Sequence, residues 1–528
     1  MSRQDTTERV KVSQLHWLLF AMIPLIWLPY FWKWKLGLNS DASIPYLMAR
    51  SILEGERPLF FWGNSYMGAI EAYLGAGLLW CFGQEHIWLV HLPAFFGFLL
   101  ASALLITWVP RHQKHIIAFL LLMAPPGLFV AIVRPGFSQG TYLWLGWVLL
   151  YALSPGLQDE PTQKGSYIRA FFGGIVLFVT HFYISSAILG WCALVVVAVW
   201  LSLGDYRRGE AFGQRCVARS IQLAMVLGMG LLSLLLEGLA GAGKYAPGKS
   251  LVLGTAFFQK LPLLAHSFLQ FNPYHSFGDA FSGLHSYYGG LGLTGLLPNL
   301  AAPPNFTFGS IVVGGAIFSF VVYGVVKQLR EAWKSHRNGD KSETVNLYWP
   351  VLFVGGVCAF LLHNGPTDIG AARFLAFLFF PMSMCVCVAV EGFPRALKRG
   401  LCVFWVGLVL LGHARILGQE DKVSHDIEQV LSFLKKEKVR TGIADFWLSY
   451  SVIARAREML YVVPPEKMNV DRYPWYRTYL QHADKWVVLQ FRKRRPGMPW
   501  LRLNKRAFTL LKKREFGTLS VTLYEKRD

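Results

Sequence analysis

The stretch Leu38-Asn39-Ser40-Asp41-Ala42-Ser43-Ile44-Pro45-Tyr46 contains an acidic residue, Asp41, among polar neighbours. It follows the first long apolar run of the chain, Leu15 to Trp32. A run of this length can cross the hydrocarbon core of a bilayer as a helix. It is not followed by a small-x-small cleavage site, so we interpret it as a retained transmembrane helix rather than a cleaved signal. With a cytoplasmic N-terminus, Asp41 would emerge at the outer surface of the membrane.

The composition of the whole chain indicates a polytopic membrane protein. Of its 528 residues, 54% are hydrophobic and only 16% are charged, whereas soluble domains are about one quarter charged. The formal net charge of +21 could indicate a nucleic-acid partner, but Lys and Arg lie mainly in short loops and in the C-terminal tail. Membrane topology and anionic lipid headgroups explain this distribution better. We therefore expect no nucleic-acid partner.

The cysteines argue against a disulfide framework and against a thiolate metal site. Seven are present, and only Cys216 lies outside an apolar run. No CxxC pair occurs, and the tail contains no cysteine. Both kinds of site need cysteines at close or regular spacing.

Apolar runs that could cross a bilayer recur along most of the chain and predict about eleven transmembrane helices. No internal repeat is found, which argues against transporters built from duplicated halves. The predicted spans are Leu15 to Trp32, Ile87 to Val109, His115 to Val133, Thr141 to Leu153, Ala170 to Ile184, Ser185 to Leu203, Ile221 to Ala240, Phe308 to Val326, Leu347 to His363, Phe374 to Val390 and Leu401 to Leu417.

The charges between the spans predict the orientation. Basic loops such as Arg395 to Arg399 all fall on the side of the N-terminus, as the positive-inside rule requires of cytoplasmic loops. The opposite side then contains Asp41, the long external loop Gly241 to Thr307 and the tail. Residues 40–83 are too polar for clean spans, and their Trp, Tyr and Gly content predicts helices lying in the membrane interface.

From Glu420 to Asp528 the composition becomes that of a soluble domain. We therefore divide the chain into a transmembrane domain, residues 1–419, and a small extracytoplasmic α/β domain, residues 420–528. Asp426 to Lys436 has helical periodicity, and Arg455 to Glu458 is also predicted to be helical. The predicted strands begin at Thr441-Gly442 and then cover Met459 to Val463, Trp486 to Phe491 and Leu519 to Tyr524.

Several short motifs occur in a fixed order along the chain. After the acidic residue that follows the first span come Tyr66-Met67-Gly68-Ala69-Ile70-Glu71-Ala72-Tyr73-Leu74, then Ala372-Arg373-Phe374-Leu375 before a late span. The tail contains Gly442-Ile443-Ala444-Asp445-Phe446-Trp447-Leu448-Ser449-Tyr450. In these features the chain resembles the membrane-embedded glycosyltransferases of the GT-C type, which include the protein O-mannosyltransferases and the aminoarabinose transferases of lipid A.

The resemblance implies a polytopic α-helical fold of the GT-C type and a sugar donor linked to polyprenyl phosphate. It also implies that Asp41 is the catalytic base or orienting group, because the family carries an acidic residue in its first external loop. Many relatives carry two adjacent acidic residues, whereas this chain has Ser40-Asp41-Ala42. We therefore do not expect this chain to bind a metal ion that needs two adjacent acidic residues, and we expect no cofactor.

The chemistry of the transfer selects the same candidate base. Transfer from a lipid phosphate to a hydroxyl needs a base near the attacking oxygen and positive charge near the leaving phosphate. Asp41 can be the base; the alternative is a helix N-cap before Ala42 to Leu53, for which Asp is a favoured residue. Glu71 is the second catalytic candidate, orienting the acceptor or bridging to Arg134, with a structural ion pair as the alternative.

Three further residues are candidates for substrate binding. Arg373 is the first choice for the leaving phosphate and Arg134 the second, because guanidinium groups suit phosphate oxygens. The alternative for Arg373 is a snorkelling anchor at the end of a helix. His181 lies at the end of a predicted span, where polar residues tend to be functional, and a hydrogen-bonded packing histidine is the alternative.

Two other groups of residues have side chains that could form a binding site. Asp445 and Trp447 could contact carbohydrate, while core packing of a strand is the competing explanation. The loop histidines are spaced too irregularly to specify a metal site; these are His266, His275 and His285.

These observations predict an inverting glycosyltransferase of the bacterial inner membrane. It would move a sugar to a hydroxyl of an external lipid, polysaccharide or protein. Undecaprenyl phosphate is the expected carrier, because the chain has no GxGxxG after a strand and no cytoplasmic domain to hold a nucleotide sugar. The alternatives are a transporter or flippase of lipid-linked saccharides, and a non-enzymatic envelope scaffold that works through its tail.

Overall fold

A computed structural model of the chain gives the architecture. The residues that it describes are 3–34, 40–124, 128, 139–154, 157, 162–183, 187–207, 212–239, 308–338, 344–362, 377–418, 422–457, 459–464, 473–480, 483–491, 500–503 and 506–526.

Most of the described residues in the first four fifths of the chain are helical. Its helices are α1 (Arg3–Trp34), α2 (Ser40–Leu53), α3 (Ile70–Phe82), α4 (Leu92–Trp108), α5 (Lys114–Leu122), α6 (Gln139–Tyr151), α7 (Lys164–Tyr183), α8 (Ile188–Arg207), α9 (Phe212–Leu239), α10 (Phe308–Arg337), α11 (Tyr348–Leu362), α12 (Phe379–Glu391) and α13 (Arg395–Gly418). Short 3₁₀ helices precede α4 and α11, at Ile87–His91 and Thr344–Leu347.

Each predicted span overlaps one of these helices. Within the described residues, five helical stretches are long and apolar enough to cross a membrane: Gln14–Trp32, Ile87–Trp108, Ile188–Arg207, Phe212–Ser233 and Arg395–Ala414. The total of eleven spans stays a prediction. Helix α5 ends at Leu122, well before the predicted Val133, because Pro125 and Pro126 follow and the residue before a proline is disfavoured in a helix.

Small residues let the helices approach closely. A methyl group built on Gly324 of α10 would overlap the backbone carbonyl of Cys385 in α12. A methyl group on Gly146 of α6 would similarly overlap Thr180 of α7. Close approach through small residues is the usual way in which helices pack in a membrane, where no water is expelled between them.

The segment between α1 and α4 forms a compact layer. Helix α2 packs on α3, with Ala49 beside Gly75 and the Tyr46 hydroxyl donating to the carbonyl of Gln84 (2.9 Å). Between the two helices lies a short antiparallel hairpin, β1 (Phe60–Phe61) and β2 (Asn64–Gly68). The helices expected in residues 40–83 are therefore present, and their position at the membrane interface stays a prediction.

The C-terminal part contains a six-stranded mixed sheet with the order β4-β3-β5-β8-β7-β6. Strands β4 and β5 run parallel to β3, and the remaining pairs are antiparallel. The elements are α14 (Lys422–Lys436), β3 (Thr441–Ala444), α15 (Phe446–Arg455), β4 (Tyr461–Val463), a 3₁₀ helix at Pro474–Leu480, β5 (Lys485–Phe491), β6 (Trp500–Leu503), β7 (Arg506–Phe516) and β8 (Leu519–Lys526).

Two predictions in the tail are wrong. The helix predicted to begin at Arg455 is absent, because α15 ends at Arg455 and a turn follows at Ala456 and Arg457. The strand predicted to carry Asp445 and Trp447 ends at Ala444. The backbone carbonyl of Asp445 accepts from the amides of Leu448 and Ser449, which starts the helix. The sequence favours a strand because aromatic and β-branched residues do so in isolation, and burial of nearly the whole helix leaves no polar face to show a helical period.

The tail and the α2–α3 layer share one apolar cluster. Trp62, in the hairpin turn, stacks on Tyr473 with ring centroids 3.9 Å apart, and the Tyr473 hydroxyl donates to Glu56 Oε1 (2.6 Å). Buried side chains of α2, including Leu47, belong to the same cluster as Ile453 of α15. Segments in contact must lie on the same side of a membrane, so the tail and the α2–α3 layer share one side.

Candidate functional site

Asp41 lies in the first turn of α2, which begins at Ser40. The backbone there is described, and the side chain is not. A carboxylate in the first turn of a helix is stabilised by the positive end of the helix dipole. Asp41 is thus the second residue of the helix rather than the N-cap in front of a helix that begins at Ala42.

Glu71 is a buried carboxylate at the beginning of α3. Only 3% of the residue is exposed, and it too lies in a first turn. Its charge interacts with Tyr142 near the start of α6. A buried carboxylate is costly unless it is hydrogen-bonded or paired, so its retention here points to a function or to a strong structural pair.

A cavity of about 230 Å³ lies beside Glu71, between α6 and α7. Its wall is mostly aliphatic, and the polar side chains on it are Tyr142 and Thr180. The Thr180 hydroxyl donates to the carbonyl of Val176 in its own helix (2.7 Å). The cavity wall is therefore apolar except at Thr180 and at Tyr142, which interacts with the carboxylate of Glu71. Its lining consists of Ile70, Tyr142, Leu145, Gly146, Leu149, Ile175, Val176, Val179 and Thr180.

His181 lies in the last turn of α7, next to Thr180, and is 4% exposed. Its Nδ1 is 2.7 Å from the Ser233 hydroxyl of α9, which in turn donates to the carbonyl of Gly230 (2.7 Å). A serine hydroxyl has a single hydrogen. Because Ser233 gives that hydrogen to Gly230, the ring nitrogen Nδ1 of His181 must be the donor in the other bond.

Two of the predicted site residues directly follow residues that line this cavity. Glu71 follows Ile70, which lines the cavity, and His181 follows Thr180, which lines it too. Sequence analysis missed Tyr142 and Thr180. Thr180 could have been found from the sequence because it is next to His181. The only indication for Tyr142 is its position at the start of a predicted span.

Arg134 and Arg373 lie outside the described residues. The described segments that follow these two arginines along the chain contact each other. The indole of Trp144 donates to the carbonyl of Phe377 (2.7 Å), and a methyl group on Gly140 would come within 2.8 Å of the Phe377 ring. Helix α6, which follows Arg134, thus contacts the start of the segment that follows Arg373.

Asp445 does not form an exposed carbohydrate contact. It is 7% exposed, and its amide donates to the carbonyl of Leu489 in β5 (3.3 Å). The packing explanation therefore holds for Asp445, while the side chain of Trp447 is not described. Among the described residues, no group of three or more His, Cys, Asp or Glu side chains is arranged to hold a metal ion.

Comparisons with known proteins identify the fold. No family model matches the chain, and no curated protein matches it in sequence. The oligosaccharyltransferase AglB of Archaeoglobus fulgidus, solved with an inhibitory peptide and a dolichol-phosphate, superposes with a TM-score of 0.51 at 13% identity, over 90% of this chain and 69% of AglB. Its apo form gives 0.50 at 11% identity, over 90% and 70% of the two chains.

A third structure, ArnT of Cupriavidus metallidurans bound to undecaprenyl phosphate, matches over 96% of this chain and 97% of its own, with a TM-score of 0.45 at 11% identity. At this TM-score the similarity to ArnT supports no conclusion about the chain. The match to AglB covers most of both chains and includes the helical region and the tail. The chain therefore has the GT-C type of fold that its motifs predict.

Proposed function

We propose that the protein is an inverting glycosyltransferase that moves a sugar from a polyprenyl-phosphate carrier to a hydroxyl of an acceptor outside the cytoplasm. The observation that carries this proposal is the cavity beside Glu71. Its lining is aliphatic apart from Tyr142 and Thr180, which suits a ligand that is apolar over most of its length. A prenyl chain that ends in a phosphate and a sugar has this character.

The fold favours the same donor class. A glycosyltransferase with this architecture, AglB, has been solved with a dolichol-phosphate. We propose undecaprenyl phosphate as the carrier here, in a bacterial inner membrane with the site facing the periplasm. The acceptor is a lipid, a polysaccharide or a protein.

In the proposed step, the acceptor oxygen attacks the anomeric carbon from the face opposite the phosphate. The bond between that carbon and the phosphate oxygen breaks, and the phosphate leaves with the electron pair. Asp41 accepts the acceptor proton. Glu71 orients the acceptor hydroxyl, and Arg373, with Arg134, stabilises the negative charge on the leaving phosphate.

His181 is proposed to position the donor rather than to transfer a proton. Its Nδ1 hydrogen is held by Ser233, which fixes the plane of the ring.

The experiment is a turnover assay on the purified full chain, reconstituted in vesicles with a lipid extract from its host. Mass spectrometry follows the loss of polyprenyl-phosphate sugars and the gain of free polyprenyl phosphate. We expect the parent to convert one into the other. Glu71→Gln keeps the size of the side chain and removes its charge, and should slow the conversion on the order of 10²-fold or more.

The matched control is Glu54→Gln. Glu54 is exposed, directly follows α2 and pairs with Arg50 in the last turn of that helix (3.6 Å), so the loss of its charge should leave the rate unchanged. Lipid-linked sugars that change sides of the vesicle without being consumed would contradict the transferase and favour a flippase. A rate that falls equally in both variants would remove Glu71 from the site.

A further inference from the structure

Three basic residues follow one another along one exposed face of α10. Arg330, Lys334 and Arg337 are separated by four and three residues, so they lie on the same side of the helix. All three are exposed, and their side chains have no ion-pair or hydrogen-bond partner among the residues that the structure describes. The helix therefore presents three positive charges in a row that the described protein leaves without a counter-charge.

The same face of α10 is apolar where it leads into the predicted span. Val322, Val326 and Leu329 continue the face in steps of three or four residues, and they are between 40% and 55% exposed. Trp333 is also exposed and lies at the change from aliphatic to basic residues. In membrane helices, Trp and basic residues mark the level of the headgroups, while aliphatic residues face the acyl chains. This face of α10 therefore passes from the acyl region to the headgroup region next to Leu329.

A fourth cation comes from the neighbouring helix. Arg207 is the last residue of α8 and is exposed, and its Cζ lies 5.7 Å from the centroid of the Trp333 ring. The ring of Trp200, also in α8, lies 5.7 Å from that of Trp333. The cation–π contact restricts the position of the guanidinium, and its N–H donors have no acceptor among the described residues. The end of α8 thus holds a guanidinium beside the basic face of α10.

The acidic residues that adjoin these cations in sequence have cationic partners of their own. Glu331 of α10 contacts Lys327 (3.8 Å). Asp205 of α8 is buried and contacts Arg215 (3.2 Å) and Arg219 (2.8 Å) of α9. Neither acid pairs with any of the four exposed cations, so the exposed surface between α8 and α10 keeps an excess of positive charge.

We infer that the α8–α10 surface, made of Arg207, Arg330, Trp333, Lys334 and Arg337, binds the phosphate of an anionic phospholipid. The guanidinium and ammonium groups donate to the phosphate oxygens, and the acyl chains lie along the aliphatic residues of α10. The basic loops predict that this end of both helices meets the cytoplasmic leaflet, whose anionic lipids are attracted to such clusters. The inference does not depend on the proposed glycosyl transfer.

The test uses the full chain, purified in detergent and depleted of lipid. Native mass spectrometry measures the lipid that is retained after addition of phosphatidylglycerol or of phosphatidylcholine with the same acyl chains, without a sugar donor. We expect the parent to retain phosphatidylglycerol more strongly than phosphatidylcholine. Arg207→Gln combined with Lys334→Gln removes one cation from each helix and should weaken retention of phosphatidylglycerol at least about tenfold.

The matched control is Arg111→Gln combined with Arg399→Gln. It removes the same charge from two exposed residues that lie in other basic segments, between α4 and α5 and at the start of α13. It should retain lipid like the parent. The Tm of each variant without lipid, from tryptophan fluorescence, shows whether it is folded. Arg330→Gln combined with Arg337→Gln leaves the contact between α8 and α10 intact and should also weaken retention, which keeps the test open where the first variant does not fold.

Three results would overturn the inference. The first is equal retention of the two lipids by the parent, which is also expected if the surface is neutralised by Glu210, Asp340 or Glu343, all outside the described residues. The second is an equal loss of retention in the control, which would show a general effect of net charge. The third is a gain in Tm from inorganic phosphate equal to that from phosphatidylglycerol, which would show a free anion in place of a lipid.

Discussion

Asp41 can be tested because its two possible roles respond differently to the same substitution. Asp41→Asn keeps the size of the side chain and removes its basicity. Loss of a general base costs on the order of 10²- to 10⁴-fold in rate, while loss of the interaction between the carboxylate and the helix dipole costs only about 0.3–1 kcal/mol in stability. We therefore expect a folded variant that binds the lipid carrier and transfers sugar at a small fraction of the parental rate, measured by the turnover assay.

One result would contradict the role of Asp41 as the general base. Near-parental turnover by folded Asp41→Asn would mean that the base lies elsewhere. Glu71 would then be the next residue to test as the base, with Glu54→Gln again as the control.

Arg373 is tested by a substitution that keeps its charge. If its guanidinium binds the leaving phosphate with two parallel hydrogen bonds, Arg373→Lys should weaken use of the carrier markedly, because an ammonium group cannot reproduce the planar fork. Steady-state kinetics with the lipid-linked sugar give KM and kcat. Unchanged values in Arg373→Lys would identify an interfacial anchor.

At the scale of single residues, sequence could pick out charged groups in apolar surroundings. Glu71 and His181 stand out for this reason, and each directly follows a residue that lines the cavity. Tyr142 and Thr180 could not be found in this way, because such residues are ordinary near the ends of membrane helices. Both line the same cavity because Gly146 lets α6 approach Thr180 of α7, and that approach depends on tertiary packing.

At the scale of elements, the close approach of α10 and α12 gives a prediction about stability. Gly324→Ala would place a methyl group against the backbone carbonyl of Cys385, which cannot move like a flexible side chain. Overpacking of this kind costs about 1–3 kcal/mol. We expect a lower Tm for the detergent-solubilised protein, followed by tryptophan fluorescence.

Gly228→Ala in α9 is the matched control. A methyl group there meets no described atom within 4 Å, and Ala is a better helix former than Gly. Its Tm should equal or slightly exceed that of the parent. Equal Tm values for the two variants would mean that α10 and α12 can separate without cost.

The elements of the tail were predictable where each has a clear period. The helix at Asp426 to Lys436 and the strands at Trp486 to Phe491 and Leu519 to Tyr524 all appear, within one to four residues at their ends. Helix α15 was missed because it is covered on several sides, so its sequence is apolar almost throughout. A helix buried in this way has no polar face to reveal its period.

At the scale of the molecule, the orientation of the chain can be measured directly. In a background without the native cysteines, Lys513→Cys in β7 and Arg399→Cys in α13 introduce exposed thiols. The basic loops predict that an impermeant maleimide labels the first and not the second in intact spheroplasts. The reverse pattern would invert the topology and put Asp41 on the cytoplasmic side.

The apolar cluster shared by the α2–α3 layer and the tail also fixes an order of events during synthesis. The layer is complete at His91, but the residues that cover it begin at Ile427. At about 5–20 residues per second, translation of the roughly 330 residues between them takes on the order of tens of seconds. Throughout that time the apolar face of α2 lacks the cover that the tail later gives it, so the newly made chain exposes a surface prone to aggregation.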